Sequence, residues 1–223
     1  MNGEIKASGN NFVTTPFADV GYNTTDIQNI KLVGSQGYMG ETFAIWEGVP
    51  SVVADTEFAW MGTEWDENGI ATKGMWATYG GEEAAFSIPA GQAVTIFADP
   101  GIGIENAGQV PLEKVEFTLA EGNNFTGNPF PAKIDIQNIK IVGSQGYMGE
   151  TFAIWEGVPS VVADTEFAWM GTEWDENGIA TKGMWATYGG EEATFTIDPY
   201  QGCVIFGAAG LKVEITPSYD IKQ

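Results

Sequence analysis

Apolar and polar residues alternate along this chain in short runs separated by turn formers. The segments "EIKA" (4–7), "NFVTT" (11–15), "IQNIKLV" (27–33), "TFAIW" (42–46), "EFAWM" (57–61), "TKGMWATY" (72–79), "AAFSI" (84–88), "AVTIFA" (93–98) and "GIGIE" (101–105) are rich in β-branched and aromatic residues. Gly, Pro, Asn or Asp punctuates them every 8 to 12 residues or so. No window keeps an apolar spacing of three and four long enough for an ordinary helix. The pattern predicts an all-β, mostly antiparallel fold: a β-sandwich or a partly open barrel.

The pattern then starts again. Residues 26–88 return as 135–197 at an offset of 109, and only Leu32/Ile141, Ala85/Thr194 and Ser87/Thr196 differ. Upstream, "GNNFVTTPF" from Gly9 answers "GNNFTGNPF" from Gly122, and downstream "QAVTIFADPGIGIE" corresponds loosely to "QGCVIFGAAGLKVE". A period near 109 is too long for the repeats of solenoids and propellers and matches a complete small domain. The chain is therefore expected to hold two tandem modules of about 110 residues, 1–108 and 109–223, meeting at the Gly/Pro-containing "ENAGQVPLEK".

Within "EWDENGIATK" the Asn68-Gly69 pair suggests a two-residue type I′ hairpin. Counting outward pairs Glu67 with Ile70, Asp66 with Ala71, Trp65 with Thr72 and Glu64 with Lys73. Gly80-Gly81 suggests a second tight turn that returns the chain through "EEAAFSI" as the third strand of a meander.

Charge narrows the chemistry. Thirty Asp and Glu stand against nine Lys, a net charge of −21, and the chain contains no His and no Arg. Without Arg there is no bidentate fork for phosphate, and so acidic a surface repels nucleic acid and anionic lipid. Without His the usual general base and transition-metal ligand are missing, so no enzymatic activity is expected. The single cysteine, Cys203, stands where the first module has Val94, which reads as a small core residue and leaves no disulfide to form within the chain. The first residues lack the basic start and apolar run of a signal peptide, and no stretch reaches the length of a membrane span.

The order of "GNNFVTTPF", an "IWEG" strand and "IPAGQAVTIFA" resembles a recurrent module of bacterial surface and secreted proteins. In that module a G-x-N-hydrophobic-x-x-x-P segment opens the domain, and a P-G-x-G-like turn with an apolar strand closes it. This sequence departs from the pattern at Asn11 and Asn124, where a Trp-Asn pair is commoner, and at Asp198-Pro199-Tyr200-Gln201-Gly202 in place of P-G-Q. The resemblance implies a β-rich extracellular or cell-surface building block and carries no catalytic residues.

Two side-chain groups are candidate sites. Trp65, Trp76 and Tyr79, repeated as Trp174, Trp185 and Tyr188, could stack sugar rings, with Asp66 and Asp175 as polar neighbours; the competing reading is that these aromatics, with Trp60 and Trp169, fill the space between sheets. Trp65, close to the hairpin tip, is the member expected to be exposed. The second group is Asp55, Glu57, Glu64, Asp66, Glu67 and Asn68, oxygen ligands suited to Ca²⁺, with Asp66, Asn68, Asp175 and Asn177 as the narrower set. No cofactor is required by any of this. The doublets Glu82-Glu83 and Glu191-Glu192 point to opposite strand faces and do not form the carboxylate pair of a glycosidase. Asn23 and Asn124 lie in N-x-T sequons.

Taken together, the sequence predicts a non-enzymatic extracellular or cell-surface structural protein. Its modules would meet head to tail, so that the same contact continues from chain to chain. The alternative is a carbohydrate-binding module with two equivalent aromatic sites.

Overall fold

The computed structural model describes residues 2–5, 9–15, 24–45, 56–154 and 165–219. Lys6 and Ala7 of the first predicted strand, Trp46, Asp55 and Asn23 of the first sequon lie outside them.

The first module contributes β1 (Asn2–Glu4), β2 (Gly9–Thr14), β3 (Thr24–Asp26), β4 (Ile30–Val33), β5 (Tyr38–Ile45), β6 (Thr56–Trp65), β7 (Ala71–Ala77), β8 (Ser87–Pro89), β9 (Ala93–Ala98) and β10 (Gly103–Asn106). The second contributes β11 (Val115–Thr118), β12 (Gly122–Gly127), β13 (Ile134–Asp135), β14 (Ile139–Val142), β15 (Tyr147–Ile154), β16 (Thr165–Trp174), β17 (Ala180–Ala186), β18 (Thr196–Ile197), β19 (Gly202–Gly207) and β20 (Lys212–Ile215). All pairings are antiparallel. A five-stranded sheet, β2-β9-β5-β6-β7, is accompanied by a three-stranded one, β1-β10-β4, and a short pair, β3-β8; the second module repeats this with β12-β19-β15-β16-β17, β11-β20-β14 and β13-β18. Every named sheet draws its strands from one repeat, and none closes into a barrel. No helix among the described residues is long and apolar enough to cross a membrane.

Period-two alternation explains the layering. In β4, Ile30 and Leu32 are buried while Lys31 and Val33 are exposed; in β9, Val94, Ile96 and Ala98 enter the core. Large rings join the layers. The Trp76 indole N–H donates to the Ile30 carbonyl at 2.8 Å, and Trp185 does the same to Ile139. Cys203 is buried as expected, and burial pushes its thiol pKa up.

Two sequence expectations are corrected. The run 27–33 is not one strand: Asp26 accepts the Gln28 backbone N–H, which turns Ile27–Asn29 into one turn of 3-10 helix before β4 begins. Nor do residues 84–88 complete a meander. After the Thr78–Gly81 turn only an isolated bridge, Ala77 to Glu83, forms. The Gln28 amide then donates to the carbonyls of both Trp76 and Ala84 at 2.8 Å, and Ser87–Pro89 leaves to pair with β3. A side chain has taken the place of strand hydrogen bonds there.

The modules meet along β2 and β9 of one and β12 and β19 of the other. Phe12 stacks on its counterpart Phe125, with centroids 5.4 Å apart and planes 7° from parallel. Val13 bridges to Gln201, and Gln92 bridges to Thr126. These contacts are reciprocal, because Thr126 is the equivalent of Val13 and Gln201 the equivalent of Gln92. The interface is therefore isologous, with a pseudo-twofold axis through the phenylalanine stack. The expected head-to-tail contact is not what joins the modules: an isologous contact uses the same patch on both partners and closes on itself.

The two sides of the axis differ in detail. Tyr200 sits at φ +66° in the turn where the first module has Gly91 at φ +80°, and its side chain, 7% exposed, joins the core of the first module. On the other side a Cβ at Gly91 would lie 3.6 Å from the Phe117 ring, and Phe117 occupies the register position that is Gly3 in the first module. Thr14 packs on Gly127, its own equivalent, and its hydroxyl donates to the Asn128 carbonyl at 2.8 Å. The Thr126 hydroxyl donates to the Gly91 carbonyl. Large residues on one side thus face small ones on the other. Several positions that differ between the repeats, Val13/Thr126, Thr14/Gly127 and Gly91/Tyr200, lie at this contact, whereas the sheet order places β6 and β7 of the near-identical segments away from it.

Candidate functional site

The β6-β7 hairpin carries the residues singled out in the sequence. Its tip is not a type I′ turn. The Gly69 N–H donates to the Asp66 carbonyl at 3.1 Å and the Asp66 N–H to the Ile70 carbonyl at 2.9 Å; Gly69 takes the left-handed conformation at φ +77° and Asn68 does not. This is a type I turn closed by a glycine bulge. Asp66 selects it, because its Oδ1 accepts the backbone N–H groups of Asn68 and Ile70, both at 2.9 Å. Those bonds, that from Ile70 foremost, hold the Asp66 carboxyl below its ordinary pKa of 3.8, and Asp175 behaves alike. The extra residue shifts the register: Trp65 pairs with Ala71 rather than Thr72, while Glu64 pairs with Lys73 as expected, and their side chains form an ion pair at 2.8 Å. The equivalent pair, Glu173 and Lys182, is at 2.6 Å.

Trp65 emerges from this bulged strand 44% exposed. Its orientation is fixed twice. The indole N–H donates to the Gln36 carbonyl at 2.8 Å, and the ring lies against Gly62, where a Cβ would come within 2.8 Å of it. Beside it stands Tyr38, 69% exposed, with ring centroids 6.3 Å apart and planes 24° from parallel. Tyr38 starts β5, just before a register shift at which Met39 adopts φ +62°, a conformation rare for an unbranched side chain in a strand. The second module repeats every part: Tyr147 and Trp174 at 6.4 Å and 30°, Trp174 bonded to the Gln145 carbonyl, and Met148 at φ +63°. Sequence reasoning missed Tyr38 and Tyr147. The signal available was a tyrosine between two glycines in "QGYMGE", repeated unchanged.

The remaining candidates divide. Trp76 and Trp185 are fully buried, so their assignment to a ligand site is corrected: each lies opposite Trp60 or Trp169 across the hairpin and packs edge-on against it in the core. Tyr79 and Tyr188 are exposed but stand at the opposite end of the hairpin from Trp65 and Trp174. The Tyr79 hydroxyl donates to Glu57 at 2.8 Å, a bond that raises its pKa; for Tyr188 burial comes first and a bond to Glu166 second. Among the described residues no group of three or more Asp, Glu, Cys or His is placed to hold a metal ion, so neither Asp66 with Asn68 nor Asp175 with Asn177 is part of such a group. The Asn124 side chain is engaged with the backbone of Ala120 and Gly122.

The arrangement offers two copies of an exposed aromatic pair, each with its tryptophan held by a backbone carbonyl and an underlying glycine. Such a surface suits stacking of a ring with an apolar face and polar edges. Compared with protein-family models, with curated proteins and with solved structures, the chain matches none of them.

Proposed function

We propose that this chain is a non-enzymatic, extracellular or cell-surface binding protein that takes a neutral polysaccharide at two equivalent sites, Tyr38 with Trp65 and Tyr147 with Trp174. The observation that carries the reading is the exposed Tyr–Trp pair, locked by the indole hydrogen bond and the underlying glycine and present twice with closely similar geometry. A preformed aromatic surface gives up little side-chain entropy on binding. The charge of −21 and the neighbouring Glu64 and Asp66 favour an uncharged ligand over an anionic one. A scaffold role through head-to-tail growth has less support, since the contact between the modules closes on itself.

The test is tryptophan fluorescence during titration with cellohexaose, mannohexaose and laminarihexaose. The expected result is a saturable change with at least one of them. Truncating one site, Trp65→Ala or Tyr38→Ala, should weaken binding there at least tenfold, about 1.4 kcal/mol. The double variant Trp65→Ala/Trp174→Ala should lose the response. Silence with all three sugars, or a response that survives in the double variant, refutes the proposal.

A further inference from the structure

We infer that the two sites hold two separate polysaccharide chains and tie them together, instead of gripping one chain twice; the inference rests on the binding reading above. Its basis is the symmetry of the module contact. The reciprocal bridges Val13–Gln201 and Gln92–Thr126, with the self-equivalent Phe12–Phe125 stack between them, relate the modules by a rotation close to twofold. A polysaccharide has direction, from its non-reducing to its reducing end. Two sites with the same residues accept it in the same sense, each in its own frame.

A twofold rotation cannot place two such frames one after the other along a straight directed line. If the axis crosses the line at a right angle, the second site demands the opposite sense. If the axis lies along the line, the second site faces the same stretch from the other side. Running one chain through both sites in the same sense needs a translation, which a head-to-tail tandem supplies and this contact does not. The tryptophans also stand on strands that do not make the contact. It is made by β2 and β9, whereas Trp65 is on β6, three strands from β2 in the sheet order, and Trp174 on β16 mirrors it. The surfaces buried at the axis differ between modules, while the two outer aromatic pairs are the same, which fits two independent sites of one specificity.

The experiment uses the whole chain with the three hexasaccharides named above, and with hydroxyethyl cellulose, galactomannan and laminarin as polymers. Calorimetric titration should give two hexasaccharides per chain. Light scattering of the polymer should rise and then fall as protein is added, as cross-links form and are then saturated. Trp174→Ala and the milder Tyr147→Ala should bind one hexasaccharide and raise no scattering. One hexasaccharide per wild-type chain would overturn the inference and the two-site count, and would leave standing only sugar binding at an aromatic pair. Polymer binding 10²–10⁴-fold tighter than that of the single-site variants without any scattering, the mark of one chain held twice, would overturn the inference and leave the binding reading standing. No binding of any probe would overturn both.

Discussion

Replacing Tyr200 by glycine tests whether the first module depends on the second. Tyr200 belongs to the second module by sequence but to the core of the first by packing, whereas the second core is built from its own residues. A tyrosine buries roughly 150–250 Å². At about 25 cal/mol per Å² the side chain, 7% exposed, contributes about 4 kcal/mol. Against this stands its left-handed backbone at φ +66°, which disfavours a side chain by about 1–2 kcal/mol and which glycine adopts freely, less about 0.5–1 kcal/mol for glycine's freedom in the unfolded chain. Tyr200→Gly should therefore cost about 3 kcal/mol, and Tyr200→Ala, which keeps the strain, nearer 4. Amide hydrogen exchange assigns the loss. Protection should fall in β4, β9 and β10 and stay nearly unchanged in β14, β19 and β20. A loss under about 0.5 kcal/mol, an equal loss in both modules, or alanine tolerated better than glycine would refute the reasoning.

Three other outcomes follow from the same structure. Burial pushes the Tyr200 hydroxyl from 10.0 up to about 12, so its contribution is whole below pH 10 and fades as the pH rises toward 12; in phenolate absorbance at 295 nm, a late ionisation absent from Tyr200→Phe should coincide with loss of the module contact, and identical titrations of the two proteins would contradict this. The carboxyls of Asp66 and Asp175 are held below 3.8, so each turn keeps their support above that pH and loses it as the pH falls further; Asn68 and Ile70 amide shifts should follow a midpoint under 3.8, and a midpoint at or above it would remove the turn-capping role. The Trp60 indole N–H is buried with no hydrogen-bond partner, whereas that of Trp76 is bonded to Ile30; Trp76→Phe should destabilise by about 1 kcal/mol or more beyond Trp60→Phe in urea unfolding, and the reverse order would count against this hydrogen-bond assignment.

Much of the architecture was legible because alternation is a local signal. Residues 93–98 form the strand that their pattern predicts, and the repeat announced a fold made twice. What failed depended on side chains that replace backbone partners. Asp66 converts the expected turn into a bulged one and shifts Trp65 by one register position; Gln28 stands in for a third strand. The burial of Trp76 follows from facing Trp60, a pairing that the missing bulge residue hid. Half of the aromatic site was visible, because Trp65 sits by the hairpin tip. Tyr38 was not, since its exposure comes from an irregularity at Met39 that no propensity scale anticipates. The module contact was the least legible part: Gly91 against Tyr200 reads as a loose end of the repeat until the two turns are seen on either side of one axis.

Because Tyr200 and Phe117 each reach toward the opposite half, where Gly91 and Gly3 hold the matching places, the halves are not interchangeable despite their near-identity. A chain of two second halves would drive tyrosine against phenylalanine at both places. A chain of two first halves would leave both empty. The molecule is best regarded as an unlike couple descended from a like one, wedded at the seam and twins through residues 26–88 and 135–197.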